Sequence, residues 1–179
     1  MIYRDRVVRP SVPALRLADY ACLAAVGEGA EHGWAVGSVL ARTGDVGRVW
    51  SLSRPLTYRS IEMLVERKLL SRRGTAQGRG GDRTLLRTTA TGRRALAAWL
   101  DAPVEHLRDV RTELLLKLVL RERAGLSTRP LLEAQRAHFS EAIDALTTDR
   151  RHLDVVDRWR MESARAVARF LDGAMDDVT

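Results

Sequence analysis

The sequence has little that would support disulfide, metal or redox chemistry. Its 179 residues include one cysteine, Cys22, which excludes a disulfide framework and suits a reducing compartment. The four histidines are scattered, and none has a cysteine or a second histidine at metal-ligand spacing. We therefore predict no cofactor and no metal. Cys22 falls within an apolar helical pattern, where a small core residue is the usual role.

Long hydrophobic runs are also absent. The uncharged residues 20–27 are far fewer than the ~18 that a membrane span needs. The first residues of the chain, MIYRDRVVRPSVP, lack the apolar stretch of a signal peptide. We expect a soluble, cytoplasmic protein without a membrane partner.

Catalytic constellations are missing as well. No nucleophile stands with a base, and no paired carboxylate set is evident, so an enzyme is not predicted. Residues 27–33, GEGAEHG, approach the G-x-G-x-x-G phosphate loop. However, His32 occupies the position of the third glycine, and the segment follows a predicted helix rather than a strand.

Positive charge is abundant and unevenly placed. The chain has 30 Lys+Arg against 23 Asp+Glu, a formal net charge of +7. Residues 1–100 hold 17 basic and 8 acidic side chains, residues 101–179 hold 13 and 15, and residues 48–94 alone hold 12 and 3. A polyanion is the natural partner of such a segment. The alternative is a solvated face of an arginine-rich chain that has only two lysines.

The first part of the chain shows three helical patterns. They cover residues 15–26, residues 34–41 and a segment that runs from Ser53 to about Lys68. Ser53 is a candidate N-cap, and Pro55 stands where a first-turn proline is tolerated. The spacing predicts that the third helix turns these side chains inward: Leu56, Ile61, Leu64 and Val65.

A change of period follows the third helix. Residues 69–73 and 83–88 are predicted as two short strands around a glycine-rich loop, because three glycines within four residues disfavour a helix. This predicts a β-hairpin with a basic tip. Residues 91–100 return to helical spacing, and Pro103 marks a boundary.

Beyond Pro103 the chain is predicted to be entirely helical. The predicted helices cover residues 109–124, 129–146 and 153–174. Apolar seams run along the last two, with too few companions in the chain to cover them, so a partner subunit is predicted; the alternative is a pair that closes a monomeric bundle. The candidate dimerisation residues are Leu132, Phe139, Ile143, Val156, Trp159, Val167 and Phe170. Tryptophans expected in the core or an interface are Trp34, Trp99 and Trp159.

Three helices, a basic hairpin and a fourth helix are the order of a winged helix-turn-helix. In that arrangement the third helix enters the major groove of DNA and the hairpin reaches the backbone or the minor groove. The candidate DNA-binding residues are Ser53, Arg54, Thr57, Tyr58, Arg59, Arg72, Arg73, Arg79 and Arg83. For Tyr58 the alternative is a partly buried ring against the first helix, and for the wing arginines it is a solvated loop.

Several segments together resemble the PadR family of bacterial transcriptional regulators. They are HGWAVGSVL, SRPLTYRSIEMLVERKLL, RTLLRTTATGRRALAAWL, VEHLRDVRTELLLKLVLRERAG and VDRWRMESARAVARFLDG, within residues 15–174. The resemblance implies a homodimer whose C-terminal helices cross between subunits, and some members respond to small aromatic effectors. The family often has glycine at the position of Lys68, and aromatic residues where Leu85 and Leu86 stand. Effector chemistry is therefore not carried over, although a small aromatic effector stays a candidate partner.

These observations predict a mainly α-helical protein with a small β-hairpin wing. Residues 12–102 would form a winged helix-turn-helix domain, and residues 103–179 an antiparallel helical dimerisation domain. We expect a homodimeric DNA-binding transcriptional regulator, most simply a repressor, whose partner is a double-stranded operator. The alternative is an adaptor in which the winged helix binds protein or RNA.

Overall fold

The computed structural model describes residues 15–78, 81–148 and 154–177. Within these ranges the chain is mainly helical, with one antiparallel two-stranded hairpin between the third and fourth α-helices. This confirms the predicted class of a mainly α-helical protein with a small β-hairpin wing. No helix in these ranges is long and apolar enough to cross a membrane.

Helix α1, Leu17–Gly27, is the centre of the first apolar cluster. Every residue from Ala21 to Val26 is buried, because α3, α4 and the hairpin all pack around this helix. Its small side chains allow the surrounding elements to approach closely. Helix α2, Gly33–Val39, follows after a short loop.

Helix α3, Arg54–Glu66, begins close to its predicted start. Ser53 occupies the N-cap position and Pro55 lies in the first turn, but the Ser53 side chain makes no capping hydrogen bond. The predicted capping role of that side chain is therefore wrong. The helix ends in a Schellman motif, in which the N–H groups of Lys68 and Leu69 donate to the Val65 and Leu64 carbonyl oxygens, both at 2.9 Å. Lys68 has φ +57°, a conformation that usually favours glycine.

The inward face of α3 is rotated relative to the prediction. Ile61 and Leu64 are buried as expected, but Leu56 is 49% exposed, whereas Thr57 and Ser60 are buried. Positions 57, 60, 61 and 64 share one helical face, and position 56 lies about 100° away from 57. Small polar side chains complete this face because α1 packs closely on it.

The hairpin is longer than predicted. Strand β1, Leu70–Gly78, pairs with β2, Gly81–Thr88, so most of the predicted loop is strand. Leu70 lies opposite Thr88 and Gly78 opposite Gly81, with an irregularity between Arg72 and Thr75 where Gly74 has φ +80°. The Leu86 N–H also donates to the Glu31 carbonyl oxygen at 2.6 Å, which attaches β2 to the loop before α2.

Helix α4, Ala90–Asp101, closes the first cluster. The Thr89 Oγ1 accepts a capping hydrogen bond from the Gly92 N–H at 3.0 Å. A Cβ on Gly92 would overlap the Leu69 carbonyl oxygen, so only glycine allows this close approach of α4 to the residue before β1.

The segment predicted as one helix over residues 109–124 has three parts. A 3₁₀ turn at Leu107–Asp109 and a π-helical turn at Val110–Leu114 lead into α5, Leu115–Arg123. Two buried cations of α5, Lys117 and Arg121, donate to the last carbonyl groups of α4, and this joins the two parts of the chain.

Helices α6, Arg129–Thr148, and α7, Val155–Asp176, form an antiparallel pair. The α6 seam is already covered within the chain, where Leu132, Phe139 and Ile143 are 1–5% exposed in the second apolar cluster. The prediction that these three side chains lack cover is wrong, because α7 and residues near 104–118 pack on them. The predicted dimerisation residues of α7 are less well covered: Val156, Trp159 and Phe170 are 50%, 73% and 37% exposed.

Candidate nucleic-acid interface

The exposed side chains of α3 include three that can contact a nucleic acid. Arg54, Tyr58 and Arg59 are exposed, and neither arginine has an ion pair among the described residues. The Tyr58 ring is 48% exposed and packs on Gly33, where an added Cβ would be 2.5 Å from Tyr58 Cε1. The ring therefore contacts α2.

Thr57 is not part of the exposed face. Its side chain has no exposed surface, and its hydroxyl donates to the Ser53 carbonyl oxygen at 3.0 Å. The predicted contact of Thr57 with DNA is therefore wrong, since the face that packs on α1 includes this position. Ser53 is exposed at the start of α3 and stays a candidate contact.

The hairpin lies beside α3 and is joined to it by an ion pair. Arg72 on β1 pairs with Glu62 on α3, so part of its charge is used within the protein. Arg73 is exposed without an ion pair among the described residues. Arg79 lies outside the described residues.

Arg83 occupies a different environment from the other hairpin arginines. Its guanidinium lies 5.8 Å from the centre of the Trp34 ring, and its Nη1 is 3.3 Å from His32 Nε2. These side chains, with Tyr58, line a cavity of about 480 Å³ between α2, α3 and the hairpin. The structure thus brings α3 and hairpin residues to one place.

His32 and Trp34 are absent from the residues predicted to bind DNA. Trp34 was expected in the core or an interface; it lies 52% exposed beside Arg83, which excludes only the core. The signal for His32 is its position directly before the apolar pattern of α2, which is typical of an N-cap. Its Nδ1 does accept the Ala35 N–H at 3.1 Å.

Other titratable groups are held in the interior. Burial, helped by the Asp19 carboxylate, raises the pKa of the Cys22 thiol from 9.0 to about 12. Cys22 is fully buried, which confirms the prediction of a core residue. The pKa of Tyr20 is raised by burial first and then by the carboxylates of Glu113 and Asp19.

An apolar groove lies at the opposite part of the chain. It has a volume of about 550 Å³ between α7 and the 3₁₀ and π-helical turns, with side chains of Arg108 and Arg111 among its lining. The α7 residues Trp159, Val167 and Phe170 line it. Trp159 is 73% exposed, so its predicted position in a core does not hold within this single chain.

The packing of α2, α3, α4 and the hairpin on α1 defines a winged helix. No described protein family matches the sequence, and no curated protein does so either. Among solved structures, the chain is similar to Bacillus subtilis PadR in complex with operator DNA, at 19% identity and a TM-score of 0.47, over 92% of this chain and 100% of that one.

Two further structures of the same protein are also similar to this chain. The complex of Bacillus subtilis PadR with p-coumaric acid has 17% identity and a TM-score of 0.44, over 91% of this chain and 99% of that one. The structure described as Bacillus subtilis PadR has 17% identity and a TM-score of 0.40, over 92% of this chain and 98% of that one.

Proposed function

We propose that the chain is a winged-helix transcriptional regulator that binds double-stranded DNA. One observation carries the proposal: adjacent surfaces of α3 and the hairpin present arginines without acidic partners among the described residues, namely Arg54, Arg59, Arg73 and Arg83. Burying or pairing these charges would be expected if they served only folding. Arg54, Arg59 and Arg73 are exposed and Arg83 is half-buried, and without acidic partners among the described residues they suit a polyanion.

The roles within this interface follow from side-chain chemistry. Arg54 and Arg59 can pair bidentately with guanine O6 and N7 or grip phosphate, and the Tyr58 hydroxyl can donate to a phosphate oxygen. Arg73 and Arg83 contact the phosphates of the DNA backbone from the hairpin. Ser53 and Arg79 stay in the proposed set, whereas Arg72 acts first by securing the hairpin to Glu62.

We also propose that the protein is a homodimer and that separate parts of the chain bind DNA and form the dimer. Residues 12–102 would bind DNA and residues 103–179 would dimerise. The exposed apolar side chains of α7 support this division, since Val156 and Trp159 are 50% and 73% exposed. Two α3 helices could then enter successive major grooves, about 34 Å apart, of a pseudo-palindrome and block transcription as a repressor.

A small aromatic effector is a further part of the proposal. The groove beside α7 offers apolar walls for a ring and the Arg111 guanidinium, which has no ion pair among the described residues, for an anionic substituent; Arg108 and Arg160 also line it but pair with Asp109 and Asp157. A ligand there would contact α7, and it could thereby change the separation of the two α3 helices in a dimer.

Selection of binding sequences from random duplexes tests the proposed function. Fluorescence anisotropy of the selected duplex should give at least a thousandfold preference over unrelated DNA at physiological salt. The double variant Arg54→Ala/Arg59→Ala should lose this preference. The charge-matched control is Arg158→Ala with Arg169→Ala on α7, both exposed, which should retain it.

Two results would contradict the proposal. Enrichment of no duplex, together with tight binding of RNA, would favour the adaptor alternative. Equal affinity of the α3 variant and the α7 control for the selected duplex would show that α3 does not read DNA.

A further inference from the structure

The contact between His32 and Arg83 is unusual because both groups are hydrogen-bond donors. His32 Nδ1 accepts the Ala35 N–H at 3.1 Å, so this nitrogen carries no hydrogen. In the neutral ring the proton must then lie on Nε2. The nitrogen that faces Arg83 is therefore a donor.

Arg83 offers only donors to this nitrogen. Its Nη1 lies 3.3 Å from His32 Nε2, and a guanidinium has no acceptor. Neither group satisfies the other, and Arg83 has no carboxylate partner within the described ranges. The Trp34 ring, 5.8 Å from the guanidinium, supports Arg83 in this position through a cation–π contact.

We propose that His32 and Arg83 together bind one phosphate oxygen of a nucleic-acid backbone. The pair lines the cavity between α2, α3 and the hairpin, so a phosphate there would bridge the helical part of the interface and the wing. An anionic oxygen can accept both N–H groups at once and removes the conflict between the two donors. This inference rests on the proposed function and adds His32 to the binding residues.

Two carboxylates share the same cavity. Glu62 is neutralised by its ion pair with Arg72, and Asp82 has no ion pair among the described residues. Asp82 should repel a phosphate held by Arg83. Asp82→Asn is therefore expected to tighten binding, in the opposite direction to the loss of either donor.

The variant His32→Asn tests the proposed donor role of His32 Nε2 separately from the N-cap role of Nδ1. Asparagine can accept the Ala35 N–H as a strong N-cap, but it has no group at the position of Nε2. We expect His32→Asn to bind the selected duplex about tenfold more weakly, with an unchanged melting temperature. The logarithmic salt dependence should keep its slope, because the lost donor is neutral, whereas Arg83→Ala should make it shallower by about 0.9.

A double variant tests whether the two side chains share one oxygen. His32→Asn/Arg83→Ala should lose less affinity than the product of the two single losses, because removal of one donor weakens the contact of the other. Losses that multiply would overturn the shared contact. Unchanged affinity of His32→Asn, in a protein that does bind duplex DNA, would overturn the inference and leave the proposed function intact.

Inorganic phosphate provides a readout that does not depend on DNA. In labelled protein, millimolar phosphate should shift the ¹⁵N resonance of His32 Nε2, and Arg83→Ala should abolish this shift. If the wild type binds no duplex, the proposed function fails, and this titration alone decides whether the pair holds a phosphate. Absence of a shift would overturn the inference.

Discussion

Among single residues, Arg59 is the α3 side chain whose role is easiest to separate from folding. It is exposed and has no ion pair among the described residues, so its removal should leave the core unchanged. Arg59→Ala should weaken binding of the selected duplex by about 1–3 kcal/mol, with a melting temperature like that of the wild type. Anisotropy titrations at fixed salt measure the effect, with Arg158→Ala as the charge-matched control. Equal affinities of the two variants would contradict the assignment.

Lys68 provides a prediction about stability. It occupies the C′ position of the Schellman motif after α3 with φ +57°, where a Cβ is unfavourable. Lys68→Gly should raise the free energy of unfolding by about 0.5–1 kcal/mol, because relief of strain exceeds the added entropy of the unfolded chain. Lys68→Ala removes the same charge but keeps the Cβ, and it should give no such gain in urea denaturation. A larger gain for alanine than for glycine would refute this explanation.

Cys22 allows a test of the interior through its pKa. Burial raises this pKa to about 12, so the folded protein should resist alkylation at pH 8 and react only after unfolding. Because the pKa is higher in the folded protein than in the unfolded chain, this group's contribution to stability is fully present below about pH 9, where the thiol is protonated in both states. This contribution should disappear progressively between pH 9 and about 12, and Cys22→Ala should show a shallower loss of stability over that range. Rapid labelling of the native protein would contradict the buried position.

Residue-level predictions from the sequence succeeded where apolar periodicity was decisive. Ile61, Leu64 and Cys22 are buried as expected. Periodicity placed Leu56 inside and Thr57 outside, because hydropathy ranks leucine above threonine. The close approach of α1 reverses this order, and no local pattern reports that approach. His32 was missed for a similar reason, since its partner Arg83 is 51 residues away along the chain.

At the scale of elements, the hairpin shows what pairing adds to local propensity. The glycine-rich segment was expected to form a loop, yet paired strands continue to Gly78 and Gly81. Cross-strand hydrogen bonds and the Gly74 irregularity accommodate residues that have low strand propensity. The order of helices and the place of the hairpin were readable because changes of period occur within short windows.

The junction of α4 and α5 carries a stability prediction. Glu113 in the π-helical turn accepts hydrogen bonds from Trp99 Nε1 and Lys117 Nζ, each at 2.9 Å, while Lys117 also donates to the Ala102 carbonyl oxygen. Glu113→Ala would leave the buried ammonium of Lys117 without its counterion. We expect a loss of about 3 kcal/mol in the free energy of unfolding.

Denaturant titrations followed by circular dichroism would measure this loss. The matched control is Glu122→Ala on α5, an exposed carboxylate whose removal should change stability by less than about 0.5 kcal/mol. Similar values for the two variants would show that the Glu113 contacts add nothing beyond surface charge.

At the scale of the whole molecule, the sequence did not show which element covers the apolar seam of α6. Its seam was assigned to a second subunit, whereas within this chain α7 and residues near 104–118 already cover it. Periodicity shows that a helical face is apolar, but it does not show which element covers that face. The α7 helix has apolar residues on more than one face, so it can pack on α6 and still expose Trp159 and Phe170.

The remaining exposed face of α7 predicts the oligomeric state. Trp159 and Phe170 line the apolar groove and are 73% and 37% exposed, so two aromatic side chains of one groove lack full cover among the described residues. The full chain should therefore sediment as a dimer at micromolar concentration. Trp159→Ser/Phe170→Ser should shift it toward the monomer and weaken binding of a two-half-site duplex by more than that of a single half-site, because the dimer engages both halves together. Trp34→Ser, which removes an exposed aromatic side chain from the α2 region, should stay dimeric. A wild-type monomer in analytical ultracentrifugation would refute this interface, and the groove would then be free for a ligand alone.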